Sequence, residues 1–287
     1  MFSPSRVIEE KLRRLLEEDV GQGDITTSLL TPEKTVVEAE VIAKEGGVLA
    51  GMDEALVLCQ SLKLQARLLR DDGARVKPNT TILRIIGDAR TILSMERTLL
   101  NMLSRMSGIA TATNNLVRKV APRKTRVACT RKVAPGLAYF DKKAVALGGG
   151  DTHRLHLDDL VLVKDNHLKI AGDLGDAVRK ARERASFSKK VEVEVSSTEA
   201  ALQAAKNGAD IIMLDNLSPK KAREAVLLLT REGLREKVIL EASGRINLGN
   251  IVEYAKTGVD VLSVGEITHS PKALDMSLEV VKVTRSA

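Results

Sequence analysis

From about residue 125 onward, short apolar or alternating runs recur at regular intervals. They are RVACT (126–130), LVLVK (160–164), VEVEV (191–195), DIIMLD (210–215), VILEA (238–242) and VDVLSV (259–264). Runs of this length, bounded by turn residues, read as strands. The three-to-four-residue apolar spacing in TEAALQAAKNG, SPKKAREAVLLLTREG and NIVEYAKTG reads as helices. Two of those helical segments end on Gly208 and Gly258, where a helix C-terminus favours a left-handed residue. Strands alternating with helices at this spacing form right-handed βα units on a parallel sheet. Six units are enough for an incomplete barrel of the TIM type, with an open doubly wound sheet as the competing arrangement.

Residues 1–120 carry a different pattern. An amphipathic N-terminal helix precedes GQGDITT. A strand (VVEAEVIAKEGGVLAG), a helix over 53–62 and two strands around DDGARVKPNTT follow. A long helix from about Thr91 to Val120 has Leu, Met and Ile at three- and four-residue spacing, so one face is buried. This predicts a smaller α+β domain, residues 1–115, ahead of a barrel domain, residues 116–287, whose last residues are able to pack back on the first domain.

Composition narrows the classes. With 44% hydrophobic and 29% charged residues in 287, the chain can bury a core. No apolar run approaches the roughly 18 residues of a membrane span, and the N-terminus has no apolar signal region. Two cysteines, Cys59 and Cys129, cannot build a disulfide framework or a four-cysteine zinc site, which points to a reducing cytoplasm. The net charge of +7 suits an anionic ligand. Three Phe, two Tyr and no Trp leave too few stacking faces for a single-strand nucleic-acid binder.

In a βα barrel, working residues stand at the C-terminal ends of the strands. Here those ends carry Thr130-Arg131-Lys132, Lys164, Glu194, Asp215, Glu241 through Ser243-Gly244, and Val264-Gly265; the loop GGGDTHR adds His153 and Arg154. Any one of these is ordinary: Asp215 reads equally well as a helix cap, and His153 as a hydrogen-bonded loop residue. Six polar strand ends together are not ordinary. Ser243-Gly244 and Gly265, each between a strand and an expected helix, can hold a phosphate on backbone N–H groups. Arg131, Lys132, Arg154 and Lys164 suit a ligand with several negative groups. Glu194 and Asp215 can bind ribose hydroxyls, hold Mg²⁺ with substrate oxygens, or stabilise a cationic sugar centre. Glu192 lies on the same strand face as Glu194, and one of the pair can instead ion-pair with a barrel lysine. Cys129 reads as a small core residue, and the GGG at 148–150 as a flexible loop.

Nine ordered segments carry a resemblance over nearly the whole chain: GDITT (23–27), MERTLLNMLSRMSGIAT (95–111), CTRKVAPGL (129–137), GGGDTHR (148–154), VLVKDNH (161–167), VEVEV (191–195), ADIIMLDN (209–216), LEASG (240–244) and VDVLSVGEITHS (259–270). Together they resemble the quinolinate phosphoribosyltransferases. The resemblance implies an α/β sandwich domain followed by an incomplete TIM-like α/β barrel. It implies transfer of phosphoribose from phosphoribosyl pyrophosphate to quinolinate, with Mg²⁺, releasing pyrophosphate and CO₂ and giving nicotinate mononucleotide for NAD biosynthesis.

By resemblance, Lys132, Lys164, Glu194 and Asp215 are catalytic. Thr130, Arg131, His153 and Arg154 bind quinolinate and the pyrophosphoryl group. Ser243, Gly244, Arg245, Val264, Gly265 and Glu266 form the 5′-phosphate loops, and Glu194 and Asp215 address the ribose and its metal. Arg97 is expected to reach a neighbouring subunit's site in a homodimer, which some branches build into a hexamer. Cys129, Val133, Thr152, Arg245 and Glu266 depart from the commoner pattern of the family and leave the fine geometry of the phosphate site open. The alternatives are a nicotinate-specific phosphoribosyltransferase without decarboxylation, a molybdenum-transport-associated paralogue, and a non-catalytic phosphosugar-binding barrel. The complete set of cations favours a dicarboxylate.

Overall fold

In the computed structural model of the chain, which describes residues 5–285, the amphipathic N-terminal segment forms helix α1 (Ser5–Val20) with Ile8 and Leu12 buried. A short helix α2 (Ile25–Leu30) follows, capped by the Asp24 side chain, which accepts from the Thr27 N–H at 2.9 Å. Next come β1 (Thr35–Ala43), β2 (Gly47–Val48), α3 (Met52–Ser61), β3 (Gln65–Leu68), β4 (Arg75–Val76), β5 (Thr80–Asp88) and the 32-residue helix α4 (Ala89–Val120). The segment read as one strand over 36–51 is thus two, β1 and β2, interrupted over 44–46.

The remaining elements alternate strand and helix: β6 (Arg126–Ala128), α5 (Ala138–Leu147), β7 (Val161–Val163), α6 (Asp165–Ala171), α7 (Leu174–Arg184), β8 (Val191–Val195), α8 (Thr198–Lys206) and β9 (Ile211–Asp215). After them come α9 (Pro219–Arg231), β10 (Ile239–Ser243), α10 (Ile251–Ala255), β11 (Val261–Ser263), α11 (Glu266–His269) and the final strand β12 (Met276–Arg285).

The chain divides into two compact units. Met1–Ala112, Tyr139–Gly148 and Pro271–Ala287 form the first, and Thr113–Ala138 with Gly149–Ser270 the second. The break after Ala112 lies three residues ahead of the expected one. Residues 139–148, expected in the barrel domain, group with the first unit, as do 271–287, the end of the chain read as able to pack back on it; each grouping has a physical cause.

Strand β12 pairs antiparallel with β1 over its length, completing a sheet of order β12-β1-β5-β3. Alternate residues of β1 are buried, so one sheet face carries the core. The segment leading into β12 crosses α4 at Gly108, where an added Cβ would run into the Lys272 carbonyl oxygen; only a glycine allows that approach. Helix α5 is tied by charge. Arg105 forks onto Asp141 with two bonds of 2.8 Å, and Lys143 reaches Glu54 at 2.8 Å, Asp72 at 2.8 Å and Asp53 at 3.0 Å. Asp141, Lys142 and Lys143 are all buried.

The second unit is built on six parallel strands in the order β6-β11-β10-β9-β8-β7. All six sequence runs supply a strand of this sheet. Consecutive strands from β7 to β11 lie side by side, and β6 joins beyond β11, as in an incomplete α/β barrel. Val193, Ile212, Leu214, Leu240 and Leu262 are fully buried, as expected for strands covered on both faces. Gly208 and Gly258 close α8 and α10 at φ of 90° and 95°, the left-handed conformation their positions predicted.

Candidate active site

Register brings the strand ends together. Ser243 at the end of β10 pairs with Asp215 of β9 on one side and with Ser263 of β11 on the other. Glu194 of β8 and Glu241 of β10 both pair with Met213 of β9, so their side chains share one row across the sheet. At these ends opens a cavity of about 850 Å³, lined wholly by residues of the second unit.

Thirteen of the fifteen residues singled out from the sequence line it. They are Thr130, Arg131, Lys132, His153, Arg154, Lys164, Glu194, Asp215, Ser243, Gly244, Arg245, Gly265 and Glu266. The other two do not. Val264 is buried in the core with its N–H on the Ala128 carbonyl, because in a strand extension the residue beside the cavity-lining Ser263 points the other way. Arg97 is exposed on α4, in the first unit.

On the cationic side, Lys164 Nζ lies 3.0 Å from Glu194 Oε2. Glu194 is therefore the carboxylate that pairs with a barrel lysine. Burial and the neighbouring Arg131 both lower the Arg154 pKa, as two guanidiniums held on one wall should. The backbone of Lys132 is fixed at two points: its N–H donates to Thr130 Oγ1 at 3.1 Å, and its carbonyl accepts from the buried Thr268 hydroxyl at 2.8 Å. Asp215 accepts from the Asn216 amide at 2.6 Å and is not the cap of the following helix; Ser218 is, with Pro219 in the first turn.

The loops expected to hold a phosphate differ from that expectation in one respect. Gly265 caps α11, but no helix starts directly after Gly244: α10 begins at Ile251. Arg245 stands at φ 53°, where a continuing helix cannot form, and its carbonyl is taken by the Asn250 amide, closing a loop instead. Gly244 itself is at φ 98°, and an added Cβ would lie 2.8 Å from the Asn216 backbone N. Both Arg245 and Glu266 border the cavity.

Beneath the cations lies a group the sequence reading did not assemble. His153 Nε2 lies 3.1 Å from Glu241 Oε2 and 3.5 Å from Glu192 Oε2, and both carboxylates are buried. Burial raises the Glu192 pKa. It works against a charged His153, while the two carboxylates at Nε2 work for one. Asn216, His269 and Ser270 also line the cavity unannounced. His269 had a readable signal, since it follows Gly265 by one helical turn; Glu241 stood among the strand ends, but nothing in the sequence joined it to His153 and Glu192.

The two halves of the chain match two family models, described as the N-terminal domain (residues 24–107) and the C-terminal domain (residues 109–279) of quinolinate phosphoribosyl transferase. The chain belongs to the quinolinate phosphoribosyltransferase family. A protein of Methanothermobacter thermautotrophicus named "probable nicotinate-nucleotide pyrophosphorylase (carboxylating)" is 46% identical over 94% of this chain and 97% of its own. The nicotinate-nucleotide pyrophosphorylase (carboxylating) of Mycobacterium leprae is 39% identical over 94% and 96%. Among solved structures, the nicotinate-nucleotide pyrophosphorylase of Francisella tularensis superposes with a TM-score of 0.89 at 41% identity, covering 97% of both chains. The matched C-terminal stretch contains residues 139–148 and 271–279, which group with the first compact unit of this quinolinate phosphoribosyltransferase, and the cavity lies wholly in the second.

Proposed function

We infer that this protein is a phosphoribosyltransferase that joins quinolinate to phosphoribosyl pyrophosphate, releasing pyrophosphate and CO₂ and forming nicotinate mononucleotide in NAD biosynthesis. The observation that carries this reading is the convergence of Arg131, Lys132, Arg154 and Lys164 on one cavity whose opposite strand ends present Glu194 and Asp215. A dianionic acceptor and a polyanionic donor need that many fixed cations, and a sugar centre losing pyrophosphate needs carboxylates beside it.

In this mechanism Arg131, Arg154 and Lys164 hold the two carboxylates of quinolinate and orient its ring nitrogen toward the ribose C1. Lys132 faces the departing pyrophosphate. As the C1–oxygen bond breaks, positive charge grows on the ribose and Glu194 and Asp215 stabilise it. The nitrogen lone pair forms the new C1–N bond. The 2-carboxylate then leaves as CO₂, its bonding electrons passing to the pyridinium ring, and C2 takes a proton. Ser243, Gly244, Arg245, Gly265 and Glu266 border the 5′-phosphate.

The donor chemistry at Glu194 and Asp215 is all oxygen, which fits Mg²⁺, a cation that keeps waters and binds through one or two carboxylates plus phosphate oxygens. Those two residues would hold it, and it would neutralise charge on the diphosphate. The group of His153, Glu192 and Glu241 offers a nitrogen and is buried, which fits Mg²⁺ poorly. Arg97 suits the site of a second copy in a homodimer, or in a hexamer assembled from dimers. Among the described residues no helix is long and apolar enough to cross a membrane. The cytoplasm is the compartment this reading assigns, in keeping with two cysteines and no disulfide among the described residues.

The test is CO₂ and nicotinate mononucleotide formation from quinolinate, phosphoribosyl pyrophosphate and Mg²⁺, with nicotinate in parallel. Equimolar CO₂ and mononucleotide from quinolinate, with none from nicotinate, is the expected result. Turnover of nicotinate instead would place the protein in the non-decarboxylating class.

A further inference from the structure

The ring of His153 is fully engaged by the protein. Its Nε2 faces Glu241 at 3.1 Å and Glu192 at 3.5 Å, and its Nδ1 accepts the Arg154 backbone N–H at 2.7 Å. The residue is also held from behind: its own N–H donates to Asp151 Oδ1 at 2.8 Å, and its backbone sits at φ 51°, a conformation costing a non-glycine residue on the order of 1–2 kcal/mol. Such strain persists only where the surroundings dictate it. Neither ring nitrogen is left for a substrate oxygen.

The carboxylates on the other side are unusual in their own right. Glu192 is 0% exposed and Glu241 1%, and Glu192 Oε1 and Oε2 and Glu241 Oε1 have no hydrogen-bond partner among the described residues. Buried carboxylates left this short of donors are costly, so a structural role alone is a poor reason to keep them.

We propose that Glu241, with Glu192 beside it, is a positioning residue: it fixes the His153 ring through Nε2–H, and the ring in turn fixes the Arg154 backbone through Nδ1. Arg154 then presents its side chain to the cavity from a seat that the barrel floor defines. His153 is a link in this chain rather than a substrate contact, which departs from the role the family resemblance implied for it. The proposal rests on the quinolinate reading for the identity of the ligand, but not for the geometry of the chain.

One contact decides between this and two other arrangements. An imidazolium carries a proton on Nδ1, and so does a neutral imidazole bound to a metal through Nε2. In either case that proton would face the Arg154 amide proton across 2.7 Å. The carboxylates pull the ring toward the imidazolium, but the amide aimed at Nδ1 requires a lone pair there. The directional contact prevails, because two converging protons at that distance would drive the loop apart. The proton therefore sits on Nε2, toward Glu241.

The experiment has a kinetic arm and a spectroscopic arm on the intact protein. Glu241→Ala is expected to raise the KM for quinolinate about tenfold, with kcat and the KM for phosphoribosyl pyrophosphate little changed. Glu241→Gln, which keeps an acceptor for Nε2–H, is expected to restore most of that loss. An alanine variant with unchanged KM, a loss spread equally over kcat and both KM values, or a glutamine variant as poor as alanine would overturn the proposal. Histidine ¹⁵N spectra of the unmutated protein at neutral pH, with His153 assigned by its loss in His153→Asn, keep the question open to test if a variant does not fold. They should show one protonated nitrogen, Nε2. Two protonated nitrogens, or a stoichiometric metal found by elemental analysis, would overturn it. If the protein proves silent with quinolinate, the function above fails on that assay while the spectrum still decides the His153 arrangement.

Discussion

Each unit buries carboxylates beside a basic side chain, and the two do so in opposite ways. In the first, Glu54 is fully buried and accepts from Lys143 on both oxygens, at 2.9 and 2.8 Å, and from the Tyr139 hydroxyl at 2.9 Å. In the second, Glu192 and Glu241 are as deeply buried but share one histidine nitrogen between them. A buried charge closed off by its own partners holds a fold together. One that remains short of donors sits where chemistry or positioning is wanted. The same residue type thus has two meanings, and its partners tell them apart.

The strongest way to break this comparison is Lys143→Met. It strips the main partner from Glu54 and leaves Asp72, at 2.8 Å from the same nitrogen, without its cation. Removing one member of a buried ion pair costs about 3–5 kcal/mol, so the urea unfolding midpoint should fall steeply. A loss under about 1 kcal/mol would mean that the cluster does not hold α5, and the contrast would collapse.

Lys164→Ala is the counterpart in the barrel. Lys164 is 43% exposed and pairs with Glu194 at 3.0 Å, so stability should move by no more than about 0.5 kcal/mol. The kcat/KM for quinolinate should fall by the equivalent of about 2–4 kcal/mol, the range for removing one partner of a ligand–charge pair. Steady-state kinetics and thermal unfolding on one preparation separate the two effects. Equal damage to both would make Lys164 a structural residue.

Gly244→Ala sharpens the comparison at the phosphate end. A left-handed residue there gains a Cβ that crowds the Asn216 backbone N, for about 1–2 kcal/mol of strain. Because Asn216 N–H is bonded to Ser243 O at 2.8 Å, the strain falls on the loop proposed to hold the 5′-phosphate. The KM for phosphoribosyl pyrophosphate should rise more than the KM for quinolinate, and initial rates measured across both substrates test this.

The barrel was legible because strands buried on both faces write themselves as apolar runs, and because a site built at strand ends inherits their order. What stayed hidden depends on partners far away in sequence. Asp141, Lys142 and Lys143 carry no signal of their burial, since nothing nearby announces Arg105 or Glu54. Strand β12, with Val280, Val281 and Val283 exposed, has too little buried pattern to be recognised without β1 beside it. In the site, strand ends revealed Glu194 and Asp215. Glu241 was among those ends too, but its partnership stayed hidden because it is with a histidine 88 positions earlier. The helix expected after Gly244 failed on a single residue, Arg245, whose left-handed backbone no propensity anticipates.

The smallest effect belongs to Asp24, in the GDITT segment that helped to carry the family resemblance. Its carboxylate caps α2, taking the Thr27 N–H at 2.9 Å and the Thr27 hydroxyl at 2.5 Å, with Ser94 Oγ at 3.3 Å. The Thr27 hydroxyl and N–H together hold its pKa below the usual carboxylate value of 3.8. A depressed pKa means that the ionised form is preferred in the folded state. Its contribution is therefore complete above the unfolded value and disappears as pH falls through the lower folded one. Asp24→Asn keeps a capping oxygen and removes only the charge. Near neutral pH the variant should melt slightly below the unmutated protein, and the gap should close as the pH drops from about 5 toward 3. Melting curves of the two proteins across that range decide the matter. A gap that stays constant into acid would show that the charge on this cap contributes nothing and that Asp24 acts through its shape alone.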